Sequence, residues 1–525
     1  MQPQTATPTE PIRAPKEAPE EVVVRCPANG EYVGAVPVTP RAEIEAIAAR
    51  LRAAQPAWQA MGPQKRAEWL GKWRDWLLDH EDELSRLLQR ESGKSWGDTA
   101  LEIPFSTALF NYWIENGAKF LADEDVSPSG VANAVKQLKV FYEPYALVGV
   151  ITPWNGPFAG PSLDIPPALM AGCAVMSKPS EYSPLVWQAA VAGWKEIGAP
   201  DVLEAVYGFG ETGSTVVDLV DFIMFTGSVN TGRRVAVAAA QRLIPCSLEL
   251  GGNDAMIVCA DADIDRAVEG ALWGGFVNAG QFCIAVERVY VEDPVYDEFV
   301  AKLVSRTAEL RVGMDTEKHF SADVGSLATK QQLDIVSRHV DDAVSKGAKV
   351  LVGGKARGDG LFYQPTVMVD VDHGMDCMRE ETFGPTLPVM KVRDTVEAIE
   401  KANDSRLGLS GSVWTRDRAK AIALARRFNT GLVHVNDVML GAGQTPVPFG
   451  GWNESGVGSR SGGAAGIRKY CRTKSIVANR VEMKKEVNWY PYTARKGKFQ
   501  SVMARFVGAR DWRRRLGLGA RPATR

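Results

Sequence analysis

The sequence predicts an α/β protein of at least two domains, and three observations carry that reading. The chain has 525 residues, longer than one hydrophobic core usually supports. Leu147-Val148-Gly149-Val150-Ile151, Ala174-Val175-Met176 and Phe222-Ile223-Met224-Phe225 are continuous apolar runs separated by helical stretches. Strands buried on both faces read this way, so strand, helix, strand at this spacing means a parallel sheet. A second alternating series begins at Ala255-Met256-Ile257-Val258 and extends to about Val435, which predicts a second α/β domain.

The elements follow in order. Residues 1–20 carry five prolines and three glutamates with no apolar stretch, the composition of a solvated tail without a secretory signal. Thr39-Pro40 reads as a helix start, a hydroxyl N-cap followed by proline at the first helical position. Ile44, Ile47, Ala48 and Leu51 then recur at helical spacing. A second helix is expected across 65–90, with Trp69, Trp73, Trp76 and Leu77 forming a core-facing stripe.

Composition narrows the function classes. Hydrophobic content of 45% and charged content of 24% are ordinary for a soluble globular protein. A formal net charge of −2 gives no whole-chain attraction to nucleic acid, so no nucleic-acid partner is expected. Seven scattered cysteines without a Cys-x-x-Cys pair, and five histidines, argue against a metal site. An odd, scattered cysteine set fits a reducing compartment, and no apolar run approaches the roughly 20 residues that span a bilayer. The cytoplasm is the simplest address.

Cys283, in Gly280-Gln281-Phe282-Cys283, would by itself read as an ordinary core cysteine. Its company changes the reading: Glu249 lies upstream on a segment ending in Gly251-Gly252, and Asn155 follows Pro153-Trp154. Acyl transfer through a thioester needs a soft nucleophile, a donor for the oxyanion and a base to activate water. For a nucleotide, Gly208-Phe209-Gly210-Glu211-Thr212-Gly213 spells G-x-G-x-x-G but does not directly follow a convincing buried strand. Phe225-Thr226-Gly227-Ser228 is the better candidate, because a strand runs into it and a helix opens from it. An ordinary strand-to-helix turn is the plain alternative. Lys178 and Glu181 lie just past another strand, where open α/β sheets bind ligands; elsewhere they would be a solvated pair.

Pro153-Trp154-Asn155, Lys178-Pro179-Ser180-Glu181, Phe225-Thr226-Gly227-Ser228, residues 248–252, Gly280-Gln281-Phe282-Cys283, Glu381-Thr382-Phe383-Gly384-Pro385 and Pro448-Phe449-Gly450-Gly451 occur in that order. Seven such strings, in this order and spacing from about residue 22 to 480, closely resemble the aldehyde dehydrogenase superfamily. The resemblance implies an aldehyde-dehydrogenase-like fold: two doubly wound α/β domains plus a small β bridging element. It implies an NAD-binding domain over 21–127 and 147–251, a catalytic domain over 252–455, and a bridging sheet from 128–146 and 472–490 that carries subunits into homodimers or homotetramers. Cys283 is then the nucleophile, Asn155 an oxyanion donor and Glu249 the general base. Trp154, Lys178, Ser180, Glu181, Gly227, Ser228, Glu381 and Phe383 are the cofactor-binding set, with Glu381 chosen over Glu380 on the family match alone. A carboxylate at Glu181 beside the adenosine ribose would repel a 2′-phosphate, favouring NAD, with NADP as the alternative cofactor.

The implied reaction is oxidation of an aldehyde to the carboxylic acid with reduction of NAD. Phe282, Ile284, Trp154 and Phe158 lean the substrate toward apolar or aromatic aldehydes. CoA-acylating oxidation and a non-catalytic binding role are the competing readings, and Glu249 argues against the first. Trp452-Asn453-Glu454-Ser455-Gly456 departs from the lysine that many family members carry there, at a position outside the expected catalytic set. Finally, 492–525 carries ten basic residues against Asp511, a formal +9 that leaves −11 for the rest. Phe499, Val502, Met503, Phe506 and Val507 make an amphipathic helical stripe in it. The segment 495–516 would dock on the acidic body or a partner subunit, the slightly favoured reading, or lie peripherally on the inner membrane surface.

Overall fold

The computed structural model describes residues 20–129, 133–315, 318–486 and 489–519, so the tail expected at 1–20 lies outside them except for Glu20. The chain divides into two compact units. One holds the described residues up to Phe120 together with Pro144–Tyr470; the other holds Leu121–Glu143 with the described residues from Cys471 onward.

Two parallel sheets organise the first unit. In one, the strands lie in the order Cys246–Glu249, Phe222–Thr226, Leu147–Ile151, Ala174–Lys178 and Leu203–Ala205, all parallel. Gly456–Val457 adds an antiparallel edge beside Cys246–Glu249. The three apolar runs read as strands are buried along nearly their whole length, as helices on both faces of a sheet require. The first strand, Leu147–Ile151, sits inside the sheet, and the chain winds out from it in one direction and then the other. The gap between Leu147–Ile151 and Phe222–Thr226 is therefore a topological switch point.

The other sheet orders Lys349–Val352, Thr366–Val369, Thr386–Val392, Val286–Glu292, Asp254–Val258, Gly411–Trp414 and His434–Val435. It is parallel except for Lys349–Val352. Its core gathers Met256, Ile257, Val289, Tyr290, Leu387 and Val413, all fully buried. In the second unit, Cys471–Asn479, Lys136–Pro144 and Glu124–Val126 form a three-stranded sheet with Cys471–Asn479 at one edge.

Two early expectations need correction. Thr39 is not the N-cap: the helix Arg41–Ala60 starts after Pro40, which makes no side-chain cap. The Thr39 hydroxyl instead accepts from the Tyr207 N–H at 3.0 Å, and Thr39 N–H donates to Tyr207 O at 2.9 Å. A tertiary partner has taken the hydroxyl that the local pattern assigned to the helix. The helix expected across 65–90 is two helices, Gly62–Asp79 and Glu81–Ser92. His80 leaves the helical region (φ −107°, ψ 15°), its ring stacks on Trp76 at 3.9 Å, and its Nδ1 lies 2.8 Å from Trp76 O. Glu81, Asp82 and Glu83 then open the next helix at its positive end. Of the tryptophan stripe, Trp73 is fully buried, against Phe110, Trp187 and Trp194, while Trp69 and Trp76 are half-buried.

Gly149 tests the sheet's packing. A Cβ there would stand 2.9 Å from Ile223 Cδ1, 3.0 Å from Val216 Cγ1 and 3.1 Å from Val220 Cγ1. Gly149→Val is expected to lower unfolding free energy by about 1–3 kcal/mol through overpacking. Urea denaturation should show a lower midpoint at unchanged slope.

Candidate active site

The site is assembled at the carboxyl ends of the first sheet's strands. Pro153-Trp154-Asn155 follow Leu147–Ile151, Lys178 ends Ala174–Lys178, Gly227-Ser228 follow Phe222–Thr226, and Glu249 ends Cys246–Glu249. Cys283 comes from the second sheet, in the turn before Val286–Glu292, and Glu381 and Phe383 come from the loop before Thr386–Val392. Every site residue named from the sequence except Lys178 lines one cavity of about 500 Å³. Lys178 is buried beside it, with Nζ 3.3 Å from Glu181 Oε2.

Buried charge holds the Asn155 loop. Lys94 and Glu102, neither visible as functional in the sequence, form a buried ion pair. Lys94 Nζ also donates to Asn155 O at 2.7 Å. The second Glu102 oxygen accepts from Phe158 N–H (3.1 Å) and Ala159 N–H (2.9 Å), at the start of the helix Ala159–Ala171. Asn278 Nδ2 reaches Asn155 O from the other sheet at 3.0 Å, and Asn155 Nδ2 donates to Gln281 O at 2.9 Å. The oxyanion-donor candidate and the cysteine turn are thus tied to each other directly.

The cysteine turn has unusual backbone. Asn278, Ala279 and Gly280 all have positive φ (52°, 54° and 73°), a sequence of left-handed residues that only surrounding contacts sustain. Gln281 supplies some of them: its Nε2 donates to Asn278 O at 2.9 Å, and its Oε1 accepts from Ala328 N–H at 2.9 Å. Gly251-Gly252 lets the two sheets' loops meet. A Cβ on Gly251 would lie 2.2 Å from Glu381 Oε2, and one on Gly252 would lie 2.2 Å from Cys283 O. Glu381 Oε1 accepts from Gly252 N–H at 2.9 Å, whereas Glu380 turns away to Arg406. Glu287, also missed in the sequence, accepts from Thr382 N–H (3.0 Å) and Phe383 N–H (2.8 Å). That fixes Phe383 at φ 53°, its ring edge-on to Trp154 at 5.5 Å.

The departure at 452–456 lies against this machinery. Gly456 pairs with Glu249 across the sheet, Leu250 N–H donates to Ser455 O at 2.9 Å, and the Ser455 hydroxyl donates to Gly251 O at 2.6 Å. Glu454 bridges Arg233 (2.7 Å) and Arg406 (2.6 Å).

Burial sets the electrostatics. Glu249 is buried with neither carboxyl oxygen hydrogen-bonded, and this desolvation, opposed by Arg460 and Lys469, pushes its pKa up to about 8. The half-buried Cys283 thiol is pushed up to about 12 by desolvation and then by Glu381. Behind Glu249, Arg460 and Asp164 form a buried two-point pair at 3.3 and 2.7 Å. Tyr470 OH donates to Asp164 at 3.1 Å, and Lys469 Nζ stands 3.5 Å from it. Burial alone would raise the Asp164 carboxyl, yet Arg460 and Lys469 hold it below its ordinary range. Arg460 also donates to Thr226 Oγ1 at 2.5 Å, and Thr226 is the cross-strand neighbour of Glu249.

The cavity suits a dinucleotide. Ser228 caps the helix Val229–Gln241, accepting from Thr231 N–H, so a helix N-terminus opens at the cavity wall. At Gly227 a Cβ would fall 2.7 Å from Phe225 Cζ, so a side chain there would have to displace the Phe225 ring. Glu181, the Trp154–Phe383 ring pair, Glu381 and Cys283 line the same cavity. The sequence profile of the aldehyde dehydrogenase family matches residues 14–476.

The chain belongs to the aldehyde dehydrogenase family.

It is 40% identical over 471 residues to the 4,4'-diapolycopene aldehyde oxidase of a Methylomonas species, covering 89% of this chain and 88% of that one. It is also 40% identical over 458 residues to a Mycobacterium ulcerans protein provisionally named an NADP(+)-dependent succinate-semialdehyde dehydrogenase (86% and 88% covered). The crystal structure of a Mycobacterium tuberculosis aldehyde dehydrogenase complexed with NAD+ superimposes with TM-score 0.82 at 33% identity, over 89% of this chain and 96% of that one. This aldehyde dehydrogenase is accordingly an NAD(P)-dependent oxidoreductase acting on aldehydes.

The Lys94–Glu102 pair gives a sharp expectation. Lys94→Met leaves the Glu102 carboxylate buried without its counter-charge, a change worth roughly 3–5 kcal/mol of stability. Thermal unfolding should show the loss, and Lys94→Met combined with Glu102→Gln should recover part of it.

Proposed function

We propose that this aldehyde dehydrogenase oxidises an apolar aldehyde to the carboxylic acid with NAD, through a thioester on Cys283 hydrolysed by water that Glu249 activates. The observation that carries the reading is Glu249: a buried carboxyl with both oxygens unpartnered, in the cavity that Cys283 lines. The Cys283 sulfur, as thiolate, adds to the aldehyde carbon. The oxygen that becomes negative is met by the Asn155 amide, held in place through Lys94 and Asn278. When bound, NAD supplies the hydride acceptor that turns the thiohemiacetal into a thioester, and a positive ring that favours the thiolate. Glu249 then takes a proton from water as its oxygen adds to the thioester carbonyl. Collapse of the adduct breaks the carbon–sulfur bond, releasing the acid and the cysteine sulfur. A base in this position supports water rather than CoA as the acyl acceptor.

The apolar preference rests on the surroundings of the nucleophile. Cys283 packs against a cluster of Ile284, Leu409 and Phe449, with Leu432, Met439 and Ala442 around it. Lys94, 5.7 Å from the Phe282 ring, is already engaged by Glu102 and Asn155, so it does not offer a free cation to a dicarboxylic semialdehyde. The name of the Methylomonas relative points the same way, and that of the Mycobacterium ulcerans relative points to the semialdehyde. Glu181, half-buried beside Lys178, supports NAD over NADP. For assembly, the edge strand Cys471–Asn479 leaves every residue after Cys471 exposed, which supports a homodimer or homotetramer paired through it.

NADH formation against aliphatic, aromatic and semialdehyde substrates is the direct check. Cys283→Ala should abolish turnover, and Asn155→Ala should lower kcat by roughly 10²–10³. Glu249→Gln should give a single burst of NADH without continued turnover. Faster turnover of succinate semialdehyde than of long apolar aldehydes would overturn the substrate reading, and NADH formation that requires CoA would overturn hydrolysis.

The pH profile has a defined sign. Glu249 must be ionised to accept a proton, so kcat should rise with pH through about 8. Lys469 opposes the burial of that carboxyl, so Lys469→Met should move the same limb to higher pH. An unmoved limb would show that another group sets it.

A further inference from the structure

We propose that residues 489–518 form a docking surface for an anionic lipid bilayer. The segment contains two capped helices. Thr493 accepts from Lys496 N–H at the start of Ala494–Gly508, and Asp511 accepts from Arg513 N–H at the start of Trp512–Arg515. The helices are tied together by Arg515 Nε donating to Ala509 O at 2.6 Å. Neither buries a single residue. The stripe of Phe499, Val502, Phe506 and Val507 is exposed on the longer helix, and Trp512 and Leu516 are exposed on the turn that follows. An apolar face of this kind is covered by something in its working state.

Charge and residue type select the cover. The helix Ala494–Gly508 holds Arg495, Lys496, Lys498 and Arg505 and no acid, and Arg510, Arg513, Arg514 and Arg515 follow it. The single acid of 492–525, Asp511, is occupied in capping. The segment 492–525 keeps a formal charge of +9. Trp489, Tyr490 and Tyr492 stand exposed before the helix, and Trp512 after it, with the Arg513 guanidinium over the Trp512 ring at 5.8 Å. Tryptophan and tyrosine flanking a basic amphipathic helix match the chemistry of the headgroup layer, with rings at the polar boundary, aliphatic groups below and cations above. Among the described residues no helix is long and apolar enough to cross a membrane, so the contact is peripheral. Docking would bring the catalytic unit to aldehydes dissolved in lipid. That benefit rests on the apolar-substrate reading, but the binding itself does not.

The test is co-sedimentation of the full chain with vesicles of phosphatidylcholine alone, or of phosphatidylcholine with phosphatidylglycerol. Turnover of a short, water-soluble aldehyde is followed in parallel. The expected result is binding to the anionic vesicles that falls about tenfold or more when ionic strength rises from about 0.1 M to about 1 M. Two variants should each abolish it with turnover unchanged: Phe499→Ser with Phe506→Ser and Trp512→Ser, and Arg513→Glu with Arg514→Glu and Arg515→Glu. Failure of the full chain to sediment, or sedimentation indifferent to both variants, overturns the proposal. Light scattering that shows the variants dissociating an oligomer also overturns it, because the face would then pack on a second copy. Intact turnover in any of these cases leaves the catalytic reading standing.

Discussion

The buried ion pair of Lys94 and Glu102 is the joint on which the site depends. Its lysine holds the Asn155 carbonyl, and its glutamate receives the first N–H groups of the helix that follows. Asn278 reaches the same carbonyl from the cysteine turn. The Asn155 loop is therefore held by one pair of charges that water no longer screens, and Asn278 and Gln281 tie the cysteine turn to it. Such a pair contributes little net stability against an apolar substitute, but removing one partner is strongly destabilising. Its value here is geometric: it fixes the backbone of the loop that carries Asn155.

The same removal from water shifts the candidate nucleophile and base. Desolvation is the largest cause of the rise at Glu249 and Cys283, with Asp164 adding to it at Glu249 and neighbouring carboxyls adding to it at the thiol. Arg460 and Lys469 push the other way, with Asp164 between them neutralising part of their charge. The general-base candidate thus sits between an apolar environment that keeps its proton and a buried cationic pair that helps release it. Burial raises the thiol's pKa, and a positive charge beside it would lower it again.

Close backbone approach does the rest. Gly251 and Gly252 leave room for Glu381 and for the Cys283 carbonyl where any side chain would collide. The segment around 452–457 then returns to the first sheet, pairing with Glu249 and bonding to Leu250 and Gly251. A stretch that looked peripheral along the chain is a wall of the machinery, because strand pairing ignores sequence distance.

The sequence by itself determined the parallel sheets, through the buried runs at 147–151, 174–176 and 222–225 and the alternating series that begins at 255. The family resemblance carried in its motifs named candidate site residues, and all of them but Lys178 line one cavity. Local patterns went astray where a distant partner intervened: Tyr207 claims the hydroxyl of Thr39, and His80 stacks on Trp76 and divides one expected helix into two. Lys94, Glu102, Glu287, Asn278, Asp164 and Arg460 carried no local signal. An isolated charge reads as solvated, and only the tertiary fold decides that it is buried and paired. The candidate residues were legible because they sit in short motifs that keep their spelling along the chain; their supports were not, because burial is a property of the folded chain.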